Sequence, residues 1–129
     1  MCDDKQVLAG LRILVLEDDF YLATDLQDAL EAAGALIVGP FSDEASAEES
    51  LRQAQPDCAL LDLNLGSGPA YDLPRLLQGK NVPFAFVTGY DPVAITAEFA
   101  DVPCTQKPIA ARIAVDLAQR LMGPAGGSS

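Results

Sequence analysis

Acids, a hydroxyl and a lysine stand where short apolar runs end. Glu17, Asp18 and Asp19 follow "RILVL", Asp62 closes "CALLD", Thr88 closes "PFAFVT", and Lys107 follows "VPCTQ". These types form a set. Carboxylates brought close together repel, so either one keeps a proton or a cation sits among them. Oxygen ligands without histidine or cysteine favour a hard ion such as Mg²⁺. That ion is usually held by one or two carboxylates and keeps waters that phosphate oxygens can displace. Lys107 offers a point charge for a phosphoryl group, and Thr88 offers a hydroxyl donor. Together they are the parts needed to transfer a phosphoryl group onto a carboxylate.

Such chemistry needs elements that bring the parts to one place. Ile13 to Leu16, "ALIVG" (35–39), "CALLD" (58–62), "PFAFVTG" (83–89) and "VPCTQ" (102–106) read as five short strands. Their runs are apolar throughout, as in a parallel sheet covered on both faces. Between them lie helical patterns. Leu22, Leu26 and Leu30 form a stripe that Gly34 ends. Ser42 precedes "DEASAEESLRQA", whose inner face is Ala47, Leu51 and Ala54 and which Pro56 stops. "YDLPRLLQG" turns Leu73, Leu76 and Leu77 inward, with Pro74 in its first turn. "DPVAITAEFA" (91–100) is a weaker helix, rich in β-branched residues. The last helix, 109–122, carries Ile113, Leu117 and Leu121.

Strands alternating with helices give an α/β fold with a doubly wound parallel sheet. Ligands in such sheets sit beyond the carboxyl ends of the strands, at the switch in strand order. The flavodoxin-like order 2-1-3-4-5, which comes from the fold class, makes strands one and three neighbours. Asp18 and Asp62 then face each other.

Each feature alone also fits an ordinary role. An acid after a strand is often a loop residue, Asp62 fits the cap of a turn, and Thr88 before Gly89 fits a turn. Lys107 before Pro108 fits the start of a helix. Joint placement on one edge favours the chemical reading. "GSGPA" (66–70) lacks a following Gly-Lys-Ser/Thr, so it is no phosphate-binding P-loop.

Composition narrows the classes further. The chain has 129 residues, which fits one domain, and half are apolar, which argues against disorder. Its net charge is −11 with only 8 Lys and Arg, so a nucleic-acid footprint is not expected. There is no histidine, which removes His-based general bases, Ser-His-Asp triads and phosphohistidine carriers. Cys2, Cys58 and Cys104 are widely spaced and form neither a disulfide framework nor a zinc site. Cys58 and Cys104 read as small core residues. No apolar run reaches the ~20 residues of a membrane span, and "MCDDKQ" is not a signal peptide. The expected location is cytoplasmic.

The ordered set "ILVLEDD", "LLDLNLGSG", "FVTG" and "QKP" resembles the receiver domain of two-component response regulators over roughly residues 12 to 122. The resemblance implies a (βα)5 domain at 12–122, with an N-terminal extension at 1–11 and a flexible tail at 123–129. It implies Asp62 as phosphoacceptor. Asp18, Asp62 and the Asn64 backbone carbonyl would ligate Mg²⁺, and Glu17 would act through a water on the metal. Thr88 and Lys107 would contact the phosphoryl group. The implied donor is a phosphohistidine on a histidine kinase or phosphotransfer protein, and the implied output is a downstream protein target. The expectation is a stand-alone receiver, without a DNA-binding or catalytic output domain, although a receiver cut from a longer protein would read the same. No turnover of an external substrate is expected beyond self-catalysed phosphorylation and dephosphorylation.

Three features depart from the common pattern. Cys104 stands where receivers often carry an aromatic switch residue, which puts the usual Thr88-to-aromatic coupling in doubt. The step from Thr88 to Lys107 is short, so the fourth helix is expected to be stunted or irregular. "FAFVTGY" resembles the subgroup nicknamed FATGUY, in which Tyr90 would take part in the switch. Two rival readings use the same residues. One is a pseudo-receiver that binds partners without phosphorylation. The other is an aspartyl-phosphate hydrolase of the haloacid dehalogenase type. There the nucleophile follows strand one and a second Asp stands two positions on, whereas Asp62 follows strand three and is followed two positions later by Asn64.

Overall fold

The computed structural model describes residues 7–62, 72–88, 99, 101–106 and 109–122. In chain order these form β1 (Arg12–Leu16), α1 (Phe20–Ala32), β2 (Leu36–Phe41), α2 (Glu44–Gln53), β3 (Cys58–Asp62), α3 (Asp72–Gly79), β4 (Phe84–Thr88), β5 (Cys104–Gln106) and α4 (Ala111–Leu121). The strands form one parallel sheet in the order β2-β1-β3-β4-β5. This is the α/β, flavodoxin-like order expected from the sequence. The expected helix at 91–100 lies outside the described residues apart from Phe99.

Alternation along the central strands builds two cores. Ile13, Val15, Cys58, Leu60, Ala85 and Val87 pack on one face with Leu26 and Leu30 of α1 and Ala114, Leu117 and Ala118 of α4. Leu14, Leu16, Ala59, Leu61, Phe84 and Phe86 pack on the other with Ala47 and Leu51 of α2 and Leu73 and Leu77 of α3. Each fully buried leucine or phenylalanine contributes about 1.5–3 kcal/mol of transfer free energy. That is why these strands are apolar at successive positions. Phe99 joins the second core through edge-to-face contacts with Phe84 and Phe86.

Helix ends follow local chemistry. Asp19 caps α1, its Oδ1 accepting from the Tyr21 and Leu22 amides at 2.9 and 3.0 Å. Gly34 leaves the helix at φ +100°, a conformation that glycine adopts without steric cost. The cap of α2 is Asp43 rather than Ser42: Asp43 Oδ2 accepts from the Ser46 amide at 2.8 Å. The inner face of α4 is centred on Ala114, Leu117 and Ala118, which leaves Ile113 39% exposed. Of the expected stripe, Leu117 is buried and Leu121 packs against the same core, while Ile113 falls outside it because the helix turns the small Ala114 and Ala118 to the sheet. Leu8 is fully buried in the first core, and its amide donates to the Ala33 carbonyl at 2.9 Å. Among the described residues no helix is long and apolar enough to cross a membrane.

Candidate functional site

β1 and β3 lie side by side with Leu16 level with Leu61. The residues that follow, Glu17 and Asp62, therefore emerge together at the carboxyl edge of the sheet. Oxygens of Glu17, Asp18 and Asp62 all lie within 4.8 Å of one another. Glu17 and Asp62 are buried at 2% and 3% exposure, while Asp18 faces solvent. The cluster is thus closed on the protein side and open on the other.

The backbone around the acids is held from both ends. The Glu17 amide donates to the Phe41 carbonyl at 2.9 Å. Glu17 Oε2 accepts from the Asp19 amide at 3.0 Å. Asp19 turns its own carboxylate to the amides at the start of α1, so it caps the helix and stands outside the cluster. Phe20 and Tyr21 follow on the rim, 73% and 77% exposed, as an edge-to-face pair with ring centres 5.6 Å apart.

The remaining expected residues fall unevenly. Asp62 is level with Val87, and Thr88 pairs with Gln106. The backbone therefore puts Thr88 at the same edge, beside the strand that leads to Lys107. The Thr88 side chain, Asn64, Tyr90 and Lys107 lie outside what the structure describes. Cys104 is half-buried at the start of β5 and packs against the core that holds Phe84, Phe86 and Phe99. Burial pushes its thiol above the usual range, and pushes the Cys58 thiol up to about 12.

Two contributors were not assigned from sequence. An aspartate directly before a helix is a recognisable cap signal, and it identifies Asp19. The Phe41 carbonyl carries no sequence signal, because any residue supplies one.

The donor set is oxygen alone, with at least two carboxylates in reach of one point. That fits a hard divalent cation such as Mg²⁺ and does not fit a thiolate or imidazole metal. When bound, such an ion would neutralise the acids and polarise phosphoryl oxygens.

The family model for the response regulator receiver domain matches residues 13–110. The sensory transduction protein LytT of Bacillus cereus is 31% identical over 90 residues, which cover 67% of this chain and 37% of LytT. The chain thus spans little more than a third of the curated relatives it matches. Among solved structures, the BeF3-activated conformation of SdrG from Pseudomonas melonis Fr1 matches with a TM-score of 0.77 at 30% identity, covering 88% of this chain and 98% of SdrG. The response regulator PhyR from Brucella abortus shares the fold with a TM-score of 0.80 at 20% identity, covering 97% of this chain and 53% of PhyR. With the family pattern matched from β1 to the start of α4, and the acids of β1 and β3 gathered at one sheet edge, the chain belongs to the response regulator receiver domain family.

Proposed function

We propose that this receiver accepts a phosphoryl group on Asp62 from a phosphohistidine of a histidine kinase or phosphotransfer protein, with Mg²⁺ held by the acidic cluster. An Asp62 oxygen attacks phosphorus, the phosphorus–nitrogen bond breaks, and the imidazole nitrogen leaves with its electron pair. The observation that carries this reading is the convergence of Glu17, Asp18 and Asp62 within 4.8 Å, with Asp62 on the last residue of a buried strand. Asp18 would hold the cation with Asp62 and the Asn64 carbonyl, and Glu17 would act through a water on the ion. Thr88 and Lys107 would take the phosphoryl oxygens as donors.

A protein donor must approach the carboxyl edge of the sheet. The exposed Phe20–Tyr21 pair offers apolar surface directly beside the acids. Phosphorylation would add negative charge at Asp62 and change the surface around residues 91–100, β5 and α4, switching the binding of a downstream protein. Cys104 in place of an aromatic means that this switch runs without the common Thr88-to-aromatic contact, and Tyr90 is the alternative partner. The activated conformation solved for SdrG supports a two-state surface in a domain of this size.

The test is intact mass after incubation with a small phosphodonor and Mg²⁺. One phosphoryl adduct is expected on the wild type and none on Asp62→Ala. A wild type that stays unmodified, or an adduct that survives Asp62→Ala, refutes the proposal. The first of these results is what a pseudo-receiver would give.

A further inference from the structure

We infer that the β-bulge at Gly39–Pro40 is a positioning element for the acidic cluster, and that Gly39 is the residue that permits it. This inference rests on the proposed metal-binding role of Glu17, Asp18 and Asp62.

β1 and β2 run in step from Arg12 and Leu36 to Leu14 and Val38, and then Leu16 pairs with Phe41. Gly39 and Pro40 together oppose the single residue Val15, which is a bulge. Side chains on a regular strand alternate between faces. Here Val38 and Phe41, three apart, both pack on the face of α2 and α3. The extra residue therefore moves Phe41 onto the same face as its partner Leu16. It also makes Phe41, rather than Pro40, the residue whose carbonyl meets the Glu17 amide at 2.9 Å.

Gly39 has φ +107°, where side-chain-bearing residues are strained. A Cβ there would stand 2.7 Å from the Phe41 nitrogen, 2.9 Å from Phe41 Cδ2 and 3.1 Å from the Val15 carbonyl oxygen. Two of these are backbone atoms of the residues that the bulge brings together. A side chain at 39 must push Phe41 away, and its carbonyl moves with it. The hold on Glu17 then loosens at the backbone, one step from the carboxylate. Hydrogen-bond partners of the ligating groups themselves are typically worth about 10- to 100-fold in affinity, and a backbone hold one step removed is expected near the lower end of that range.

The experiment compares wild type, Gly39→Ala, Gly39→Val and Leu117→Ala. Leu117 is buried in α4 on the opposite face from Phe41, so its variant controls for lost stability alone. Two readouts are taken: amide hydrogen exchange at Glu17, and Mg²⁺ affinity from NMR titration. Faster Glu17 exchange and roughly tenfold weaker Mg²⁺ binding are expected for Gly39→Val, and a smaller loss for Gly39→Ala. Leu117→Ala is expected to bind Mg²⁺ like the wild type. Where Gly39→Val does not fold, Gly39→Ala decides. Folded Gly39 variants with wild-type Mg²⁺ affinity overturn the inference, as does an equal loss in Leu117→Ala. A wild type that Mg²⁺ leaves unmoved overturns the metal reading itself, and this assignment with it.

Discussion

Asp62→Asn should raise the stability of the metal-free protein while weakening its response to Mg²⁺. Glu17 and Asp62 are both buried, and their oxygens lie within 4.8 Å of one another. At that distance two unit charges repel by about 1 kcal/mol in a water-like dielectric and by about 3.5 kcal/mol at an effective dielectric of 20. Asparagine keeps the shape and one acceptor oxygen and removes the charge. A gain of about 1 kcal/mol is the expected net effect, below the bare repulsion because Asp18 faces solvent and because asparagine gives up the other interactions of the carboxylate. For a domain of this size each kcal/mol moves the melting temperature by roughly 3–5 °C. Bound Mg²⁺ at ten times its dissociation constant adds about 1.4 kcal/mol to the wild type. The variant, short of one ligand, gains less. The assay is thermal melting in EDTA and in excess Mg²⁺. A variant that melts at or below wild type in EDTA, or a Mg²⁺-induced shift equal in both proteins, refutes the reasoning.

Three further outcomes follow from particular side chains. Phe20→Ala should slow phosphorylation by a protein donor and leave phosphorylation by a small phosphodonor unchanged, with stability altered by less than about 0.5 kcal/mol because the ring is exposed; equal slowing with both donors would remove Phe20 from the docking surface. Alkylation near pH 8, read by peptide mapping, should modify Cys104 before Cys58, since Cys58 is fully buried with its thiol pushed up to about 12. Glu44 lies partly buried, and its Oε2 accepts from the Leu73 amide at 2.9 Å. Burial raises its carboxyl above the ordinary 4.5, so the folded protein holds that proton more tightly than the unfolded chain. The stability it contributes is full below about 4.5 and is lost as pH rises through the raised folded value. Urea midpoints should therefore show wild type losing ground to Glu44→Gln across that window, and a pH-independent gap would contradict the assignment.

Much of the site was legible because it sits at strand ends. Apolar runs closing in acids placed Glu17, Asp18 and Asp62 at the right edge, and parallel pairing of β1 with β3 brought them together. Leu26, Leu30, Leu51, Leu73 and Leu77 were read as core from spacing and are buried. What spacing could not show depends on backbone geometry. The second strand was expected to stop at Gly39, yet it runs to Phe41, because a bulge accommodates Gly39 and Pro40 and then resumes pairing. Ser42 and Asp43 are both good caps, and only the turn geometry selects Asp43. On α4 the four-residue stripe of large residues pointed to Ile113, but close approach of the helix favours Ala114 and Ala118.

The burial of Asp62 argues for function more strongly than its sequence motif does. All five residues of β3 are buried, and only the last is charged. Taking a carboxylate from water into a protein interior costs several kcal/mol unless other groups compensate. A domain has a net stability of only about 5–15 kcal/mol. Placing Glu17 and Asp18 against that carboxylate adds repulsion to desolvation, which a bound cation would relieve. A purely structural role would be served better by asparagine or by an apolar residue at 62. The same arrangement links occupancy to conformation. A cation relieves the repulsion, and a phosphoryl group on Asp62 would bring back negative charge. The fold would then rest on different contacts in each state, which is the physical requirement for a switch.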